Sequence, residues 1–183
     1  MDRDDALRAI REKVKNENLV RHMLATEAIM RSLARRFGEN EDEWGLAGLL
    51  HDIDVELVGG EMKEHSRLGS ELARELGASE AVAQAILTHN EAHGVATVSD
   101  IDKALFCADP ITGLITAAAL VRPDRKLEGV ESKSIRKRFK EKSFAAGANR
   151  QNIAACSALT MELDEFIEIS LKAMQGVAGD LGL

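Results

Sequence analysis

Leu46-Ala47-Gly48-Leu49-Leu50-His51-Asp52-Ile53-Asp54 is the stretch that decides how this chain folds and where its chemistry lies. A small and apolar run leads straight into a histidine and an aspartate. The acids Glu41, Asp42 and Glu43 precede it, so the spacing predicts a helix over 41–53 with negative charge in its first turn, where the helix dipole favours it. An adjacent His and Asp at the buried end of such a helix poses a chemical problem, because an ionised carboxylate there needs a strong partner. Asp54 follows two residues later.

Working outward, the chain reads as helices throughout. Residues 2–14 form a short one and 18–37 a longer one, in which Leu19, Met23, Met30, Leu33 and Phe37 make an apolar stripe and Gly38 ends the run. Residues 55–62, with Gly59-Gly60, read as a loop that has the freedom of a lid. Further helices are expected at 65–76, 80–92, 100–121, 131–142, 150–156 and 160–178, with Pro110 kinking the sixth helix of the series, 100–121. The fold class is all-α: a helical bundle at 1–121, whose informative part is 16–121, followed by a basic helical extension at 122–183.

Composition agrees. Among 183 residues there are 26 Ala and 21 Leu against 10 Val and 11 Ile, with aromatics at only 3%, which excludes an all-β fold. No unbroken apolar run reaches the ~18 residues of a membrane span, and the charged start Met1-Asp2-Arg3-Asp4-Asp5 carries no signal-peptide core. Cys107 and Cys156 form no metal-finger or disulfide pattern. A cytoplasmic protein with no membrane partner is the expectation. The net charge of −7 argues against a nucleic-acid polymer as partner. Yet residues 122–150 hold ten Lys/Arg and four acids, a +6 zone suited to an anionic substrate.

The titratable residues are placed unusually. His22 shares a face with Thr26, Ile29 and Leu33, and His65 is in register with Leu68, Leu72 and Leu76. His89 lies on the stripe of Val82, Ala85 and Ile86, and Asp109 shares a face with Thr112, Gly113 and Thr116. One inward histidine is usually a satisfied core residue. Six inward His and Asp residues on different apolar helices point to a shared divalent cation, which a bundle interior can hold. Imidazole and carboxylate suit Fe or Mn foremost, and Ni, Co or Zn also.

The order His22, His51-Asp52, Asp109 resembles the H…HD…D signature of the HD-domain superfamily of metal-dependent phosphohydrolases. Leu49-Leu50-His51-Asp52-Ile53-Asp54 is similar to its HDIG variant, with Asp54 where Gly is usual. His65-Ser66-Arg67-Leu68-Gly69-Ser70-Glu71 and Ile86-Leu87-Thr88-His89 also resemble that subset, and the order and spacing look most like bacterial HD-type dinucleoside tetraphosphate hydrolases. The resemblance covers about 16–121. It implies that His22, His51, Asp52 and Asp109 bind one metal. It implies that His65 and His89 bind a second, with Asp52 bridging, or act as phosphate donors in a mononuclear site.

The implied activity is hydrolysis of a nucleotide or other small phosphate ester by a metal-activated water. Asp52 is the expected catalytic residue, with Asp54 orienting a histidine or the water. Arg67, Asn90, Thr112, Lys133, Lys137, Lys140 and Lys142 are the candidate substrate contacts, and His93 is expected at the rim. The same ligand pattern also occurs in HD-type di-iron oxygenases. A non-catalytic binding domain would be expected to lack one of the ligands. A homodimer is expected from apolar surface on the last helix.

Overall fold

The computed structural model describes residues 1–183 and contains ten α-helices and no strand. In chain order they are α1 (Arg3–Lys13), α2 (Glu17–Phe37), α3 (Glu41–Leu50), α4 (Arg67–Glu75), α5 (Glu80–His89), α6 (Asp100–Leu120), α7 (Ser132–Lys140), α8 (Arg150–Ala154), α9 (Leu163–Gly176) and α10 (Ala178–Leu181). Single 3₁₀ turns follow α5 at Glu91–His93 and α8 at Ala155–Leu159.

Local chemistry sets the helix ends. Asn16, Asn40 and Ser79 cap α2, α3 and α5 through side-chain oxygens that accept backbone N–H groups. Ser99 and Asp102 form a reciprocal capping box on α6. Gly38 ends α2 in the left-handed conformation at φ 74°, where glycine carries no Cβ penalty.

The helix expected over 41–53 stops at Leu50, and residues 51–60 continue as turns. The cause lies in the quoted stretch. The His51 ring Nδ1 donates to the Gly48 carbonyl at 2.8 Å, the acceptor that the Asp52 N–H would need for a further helical turn.

α2 and α6, 21 residues each, form the middle of the bundle. α3, α6 and α9 pack on α2, and α5, α7 and α8 pack on α6. α6 has the length and apolarity of a membrane span (mean hydropathy 1.3), yet it is the central core helix, with Leu105, Cys107, Ala108, Ile111 and Leu114 fully buried. It runs through Pro110 without a break.

A single buried cluster extends from Ala6 to Leu181 and includes Leu127, Ile135 and Ile153, so it continues across residue 121. α9 buries Phe166, Ile167, Leu171 and Met174 inside the chain and leaves no large apolar residue exposed. Ile169 and Ala173 of the same helix are half-buried.

One close approach positions the site. At Gly48 of α3 a Cβ would lie 2.8 Å from backbone atoms of Thr26 and Glu27 on α2. Only glycine lets these two backbones meet, and the meeting brings the end of α3 alongside His22, one turn before Thr26.

Candidate metal centre

Five separate parts of the chain converge. His22 comes from α2, His51 and Asp52 from the end of α3, and His65 from the turn before α4. His89 ends α5 and Asp109 lies midway along α6. His22 Nε2 is 3.0 Å from His51 Nε2, 3.1 Å from Asp109 Oδ1 and 3.5 Å from Asp52 Oδ2. His51 Nε2 is 3.4 Å from the same Asp52 Oδ2. The other Asp52 oxygen, Oδ1, faces His65 Nε2 at 3.3 Å and His89 Nε2 at 3.6 Å. One carboxylate therefore stands between two histidine pairs and presents a different oxygen to each.

The four imidazoles are turned alike. His51 Nδ1 donates to Gly48 O at 2.8 Å, His89 Nδ1 to Ile86 O at 2.6 Å, and His65 Nδ1 to Asp54 Oδ1 at 2.9 Å. His22 Nδ1 meets Thr112 Oγ1 at 2.8 Å, and that hydroxyl gives its own proton to the Asp109 carbonyl at 2.7 Å, so the ring nitrogen donates. Every Nδ1 is thus a donor, and every Nε2 is aimed inward, as hydrogen-bonded metal-binding histidines are.

The donor set fits a divalent cation. Two nitrogen lone pairs 3.0 Å apart on His22 and His51 repel unless a proton or a cation lies between them. Neighbouring ligands at bond lengths of about 2.1 Å stand roughly 3.0–3.4 Å apart, close to the distances seen here. His22, His51 and Asp109 form one group whose ligand atoms lie within 4.8 Å of one another, and His51, Asp52 and His89 form another.

Protons respond to the same geometry. Burial disfavours charge on His65, but hydrogen bonds to Asp52 and Asp54 overcome it and push its pKa up to about 10. A cation at His65 Nε2 would displace that proton. Burial takes His51 down to about 4. Burial also opposes charge on Asp52, yet the neighbouring His51 and hydrogen bonds with His65 and His89 hold its carboxyl well below the usual range. Asp109 is likewise lowered against burial, through His22.

Asp54 stands behind His65. It is fully buried, and besides His65 it accepts from the backbone N–H groups of Ser66 at 2.7 Å and Gly69 at 2.8 Å. Both oxygens are occupied, so Asp54 acts on the site through His65. It also holds Ser66 in the left-handed region (φ 66°) and caps the start of α4 in place of the Ser66 hydroxyl. A Cβ at Gly69 would lie 3.2 Å from the Asp54 carboxyl carbon, so glycine there admits the carboxylate.

The candidate substrate contacts fall into two groups. Thr112 is at the centre, where its hydroxyl orients His22. The others are not brought to it. Asn90 donates to the carbonyls of Met62 and His65 and accepts from Ala92 N–H, which commits its amide to the backbone. Arg67 Nε donates to His93 Nδ1 at 3.2 Å, and His93 Nε2 donates to the His65 carbonyl at 2.6 Å. Lys133, Lys137, Lys140 and Lys142 are exposed. Ile135 is the only buried residue of α7, so it fixes the inward face, and positions 133 and 137 project elsewhere. Lys133 pairs with Glu131 at 2.6 Å.

A cleft of about 570 Å³ opens where His22 reaches the surface, with the buried Thr112 in its wall. The side chains of His22 and Asp109 are 24% and 32% exposed, against 0% for His51, so access is from this side. Its walls include Arg21 and Asn18 of α2, Gly113 to Leu120 of α6, the loop Ala145–Ala148 and the segment Leu181–Leu183. Arg150 shapes that loop. Its guanidinium donates to the carbonyls of Phe139 (3.2 Å), Ala145 (2.9 Å) and Ala148 (2.6 Å), and to that of Phe144. Arg21 and this loop were not among the sequence candidates. Adjacency to His22 was the one available signal for Arg21, and nothing marked the alanines.

The HD domain family profile matches residues 19–140, which includes every one of these converging groups. The chain belongs to the HD domain family. This is the superfamily of metal-dependent phosphohydrolases, an all-α fold that implies binding of divalent metal. Ribonuclease Y of Thermotoga petrophila is 30% identical over 149 residues, covering 74% of this chain and 27% of the relative. Ribonuclease Y of Chloroflexus aurantiacus is 28% identical over 138 residues, with the same coverages of 74% and 27%. Ribonuclease Y 2 of Levilactobacillus brevis is 29% identical over 182 residues, covering 85% of this chain and 31% of the relative. The chain spans about a quarter to a third of the length of these relatives. Their name, a ribonuclease, stands against the expectation that no nucleic-acid polymer is a partner.

Proposed function

We propose that this HD domain is a phosphohydrolase with two cation positions, acting on a nucleotide or other small phosphate ester. His22, His51, Asp52 and Asp109 would hold one divalent ion, and Asp52, His65 and His89 the second. The observation that carries this reading is the Asp52 carboxylate, with Oδ2 toward His22 and His51 and Oδ1 toward His65 and His89. Divalent ions there supply an acidified water and neutralise phosphate charge.

The chain's own residues do the rest. Four Nδ1 hydrogen bonds keep the ligand nitrogens in place without reorganisation. The buried histidine pair at His65 and His89 closes the inner side, so a phosphate approaches past His22 and Asp109. The cleft beside them is the size of a small-ligand site and is lined largely by Ala, Gly and Leu, which leaves room for the leaving group.

The names of the relatives support a second reading, an RNA phosphodiester as substrate. One screen separates the two. The chain, supplemented with Mn²⁺ or Fe²⁺, is assayed against phosphomonoesters, nucleotides and RNA oligomers. Release of inorganic phosphate from small esters supports the first reading, and cleavage of RNA alone replaces it with the second. No turnover of either, with no metal retained, overturns both.

A further inference from the structure

Arg21 is the one arginine side chain that the fold leaves free at the mouth of the cleft. The chain has fourteen arginines, and only Arg21 and Arg125 lack a carboxylate, carbonyl or imidazole acceptor. Arg125 is not in the cleft wall. Arg21 is, directly before His22 in sequence. Its guanidinium lies beside Gly182, where a Cβ would be 3.3 Å from Arg21 Cζ, so a glycine gives it room to lie there.

The cleft also extends well past the metal-binding groups. Along α6 its wall runs from Thr112 to Leu120, about 12 Å at 1.5 Å per residue. Ala25, Gly113, Ala145 and Gly147 keep this length open, and no other arginine or lysine lines it. A substrate reaching inward with its scissile phosphate therefore passes an apolar channel that carries one unpaired cation. A guanidinium with five donors and no acceptor is built to take a planar or tetrahedral anion through paired hydrogen bonds.

We infer that Arg21 is a specificity-determining residue that holds a second phosphate on the leaving part of the substrate. The preferred substrates are then bisphosphates, with one phosphate at the metal-binding groups and one at Arg21. This rests on the phosphohydrolase reading, but binding tests it independently of turnover.

The experiment compares adenosine 3′,5′-bisphosphate with adenosine 5′-monophosphate. Dissociation constants are measured by calorimetry on the full chain both without metal and with Ca²⁺, and KM values are measured with Mn²⁺. The wild type is expected to favour the bisphosphate by about tenfold or more, the worth of charge-assisted hydrogen bonds to one phosphate. In Arg21→Ala that ratio falls toward one, and Arg21→Lys keeps part of it. Arg125→Ala, which removes the other unpaired arginine, keeps the wild-type ratio. The inference is overturned if the wild type binds neither compound, if it shows no preference, or if Arg21→Ala retains the preference. It is also overturned if Arg125→Ala loses as much. Absence of turnover on every ester defeats the phosphohydrolase reading alone, since the binding ratio still decides the role of Arg21.

Discussion

Replacing Asp54 by Asn changes one atom and separates its two tasks. The carboxylate accepts from His65 through Oδ1 and from the Ser66 and Gly69 N–H groups through Oδ2. An asparagine has one acceptor oxygen and one donor amide. Two backbone donors on one side outweigh a ring nitrogen on the other, because the backbone cannot change its protonation and the imidazole can. The oxygen therefore stays with Ser66 and Gly69, and the amide faces His65. His65 must then accept at Nδ1 and carry its proton on Nε2, the atom aimed at Asp52.

Two magnitudes follow. Exchanging a buried charge-assisted hydrogen bond for a neutral one costs about 1–1.5 kcal/mol. In a chain of 183 residues that lowers Tm by about 2–6 °C. A metal-binding histidine deprived of its supporting partner typically costs 10–100-fold in metal affinity. The second cation position therefore weakens while the first, at His22, His51 and Asp109, is left in place. Mass spectrometry of bound Mn²⁺ should give about two ions per chain for the wild type and about one for Asp54→Asn, with the helical circular dichroism unchanged. Nitrogen NMR should show His65 protonated at Nε2. Equal metal content and affinity in both proteins would refute the argument. So would loss of both ions from a folded variant, because Asp54 would then serve more than His65.

Three further outcomes follow from the same geometry. Asp52→Ala removes the only group shared by the two histidine pairs. It should bring hydrolysis to background and metal content below one ion per chain while the fold persists, and activity within tenfold of wild type would exclude Asp52 from the site. Gly48→Ala places a Cβ 2.8 Å from the α2 backbone, where nothing flexible can yield. Overpacking of this kind costs about 1–3 kcal/mol, and the loss should appear as a lower Tm together with weaker metal binding, since α2 and α3 separate at His22 and His51. Burial raises the thiols of Cys107 and Cys156, the latter to about 11. Neither should react with a disulfide reagent at pH 8 until denaturant is added, and rapid native labelling would contradict their burial.

The sequence exposed the central groups because inward His and Asp on apolar helices have few stable explanations. His22, His65, His89 and Asp109 each carried a helical register, and His51-Asp52 was marked by closing an apolar run, although the structure puts His65 in the turn before α4. The role of Asp54 was only half visible. Its nearness to His51 and Asp52 could be read directly, but its contact with His65 spans eleven residues through a run of turns with no periodicity. The end of α3 was misplaced for a related reason. Helix propensity continues through Ile53, while a side-chain hydrogen bond from His51 to Gly48 takes the acceptor the helix needed. Arg150 left no trace in the pattern, because its partners are backbone carbonyls, which no sequence distinguishes.

The +6 segment marks the limit of reading charge without geometry. In α7 Ile135 is buried and Phe139, one turn on, is half-buried against the core, and two apolar positions among nine give composition little to work with. Several of the segment's charges turn to neighbouring acids: Arg122 to Asp124 at 3.0 Å, Arg136 to Asp164 at 2.6 Å and Arg138 to Glu141 at 2.7 Å. What the segment contributes to the cleft is a loop of small residues held by Arg150. The cleft consequently has one free cation, Arg21, and a phosphomonoester there would carry about two negative charges. Most of the substrate's charge must then be met at the His and Asp cluster, so affinity for any phosphate ester should depend far more steeply on added divalent metal than on the lysines of α7.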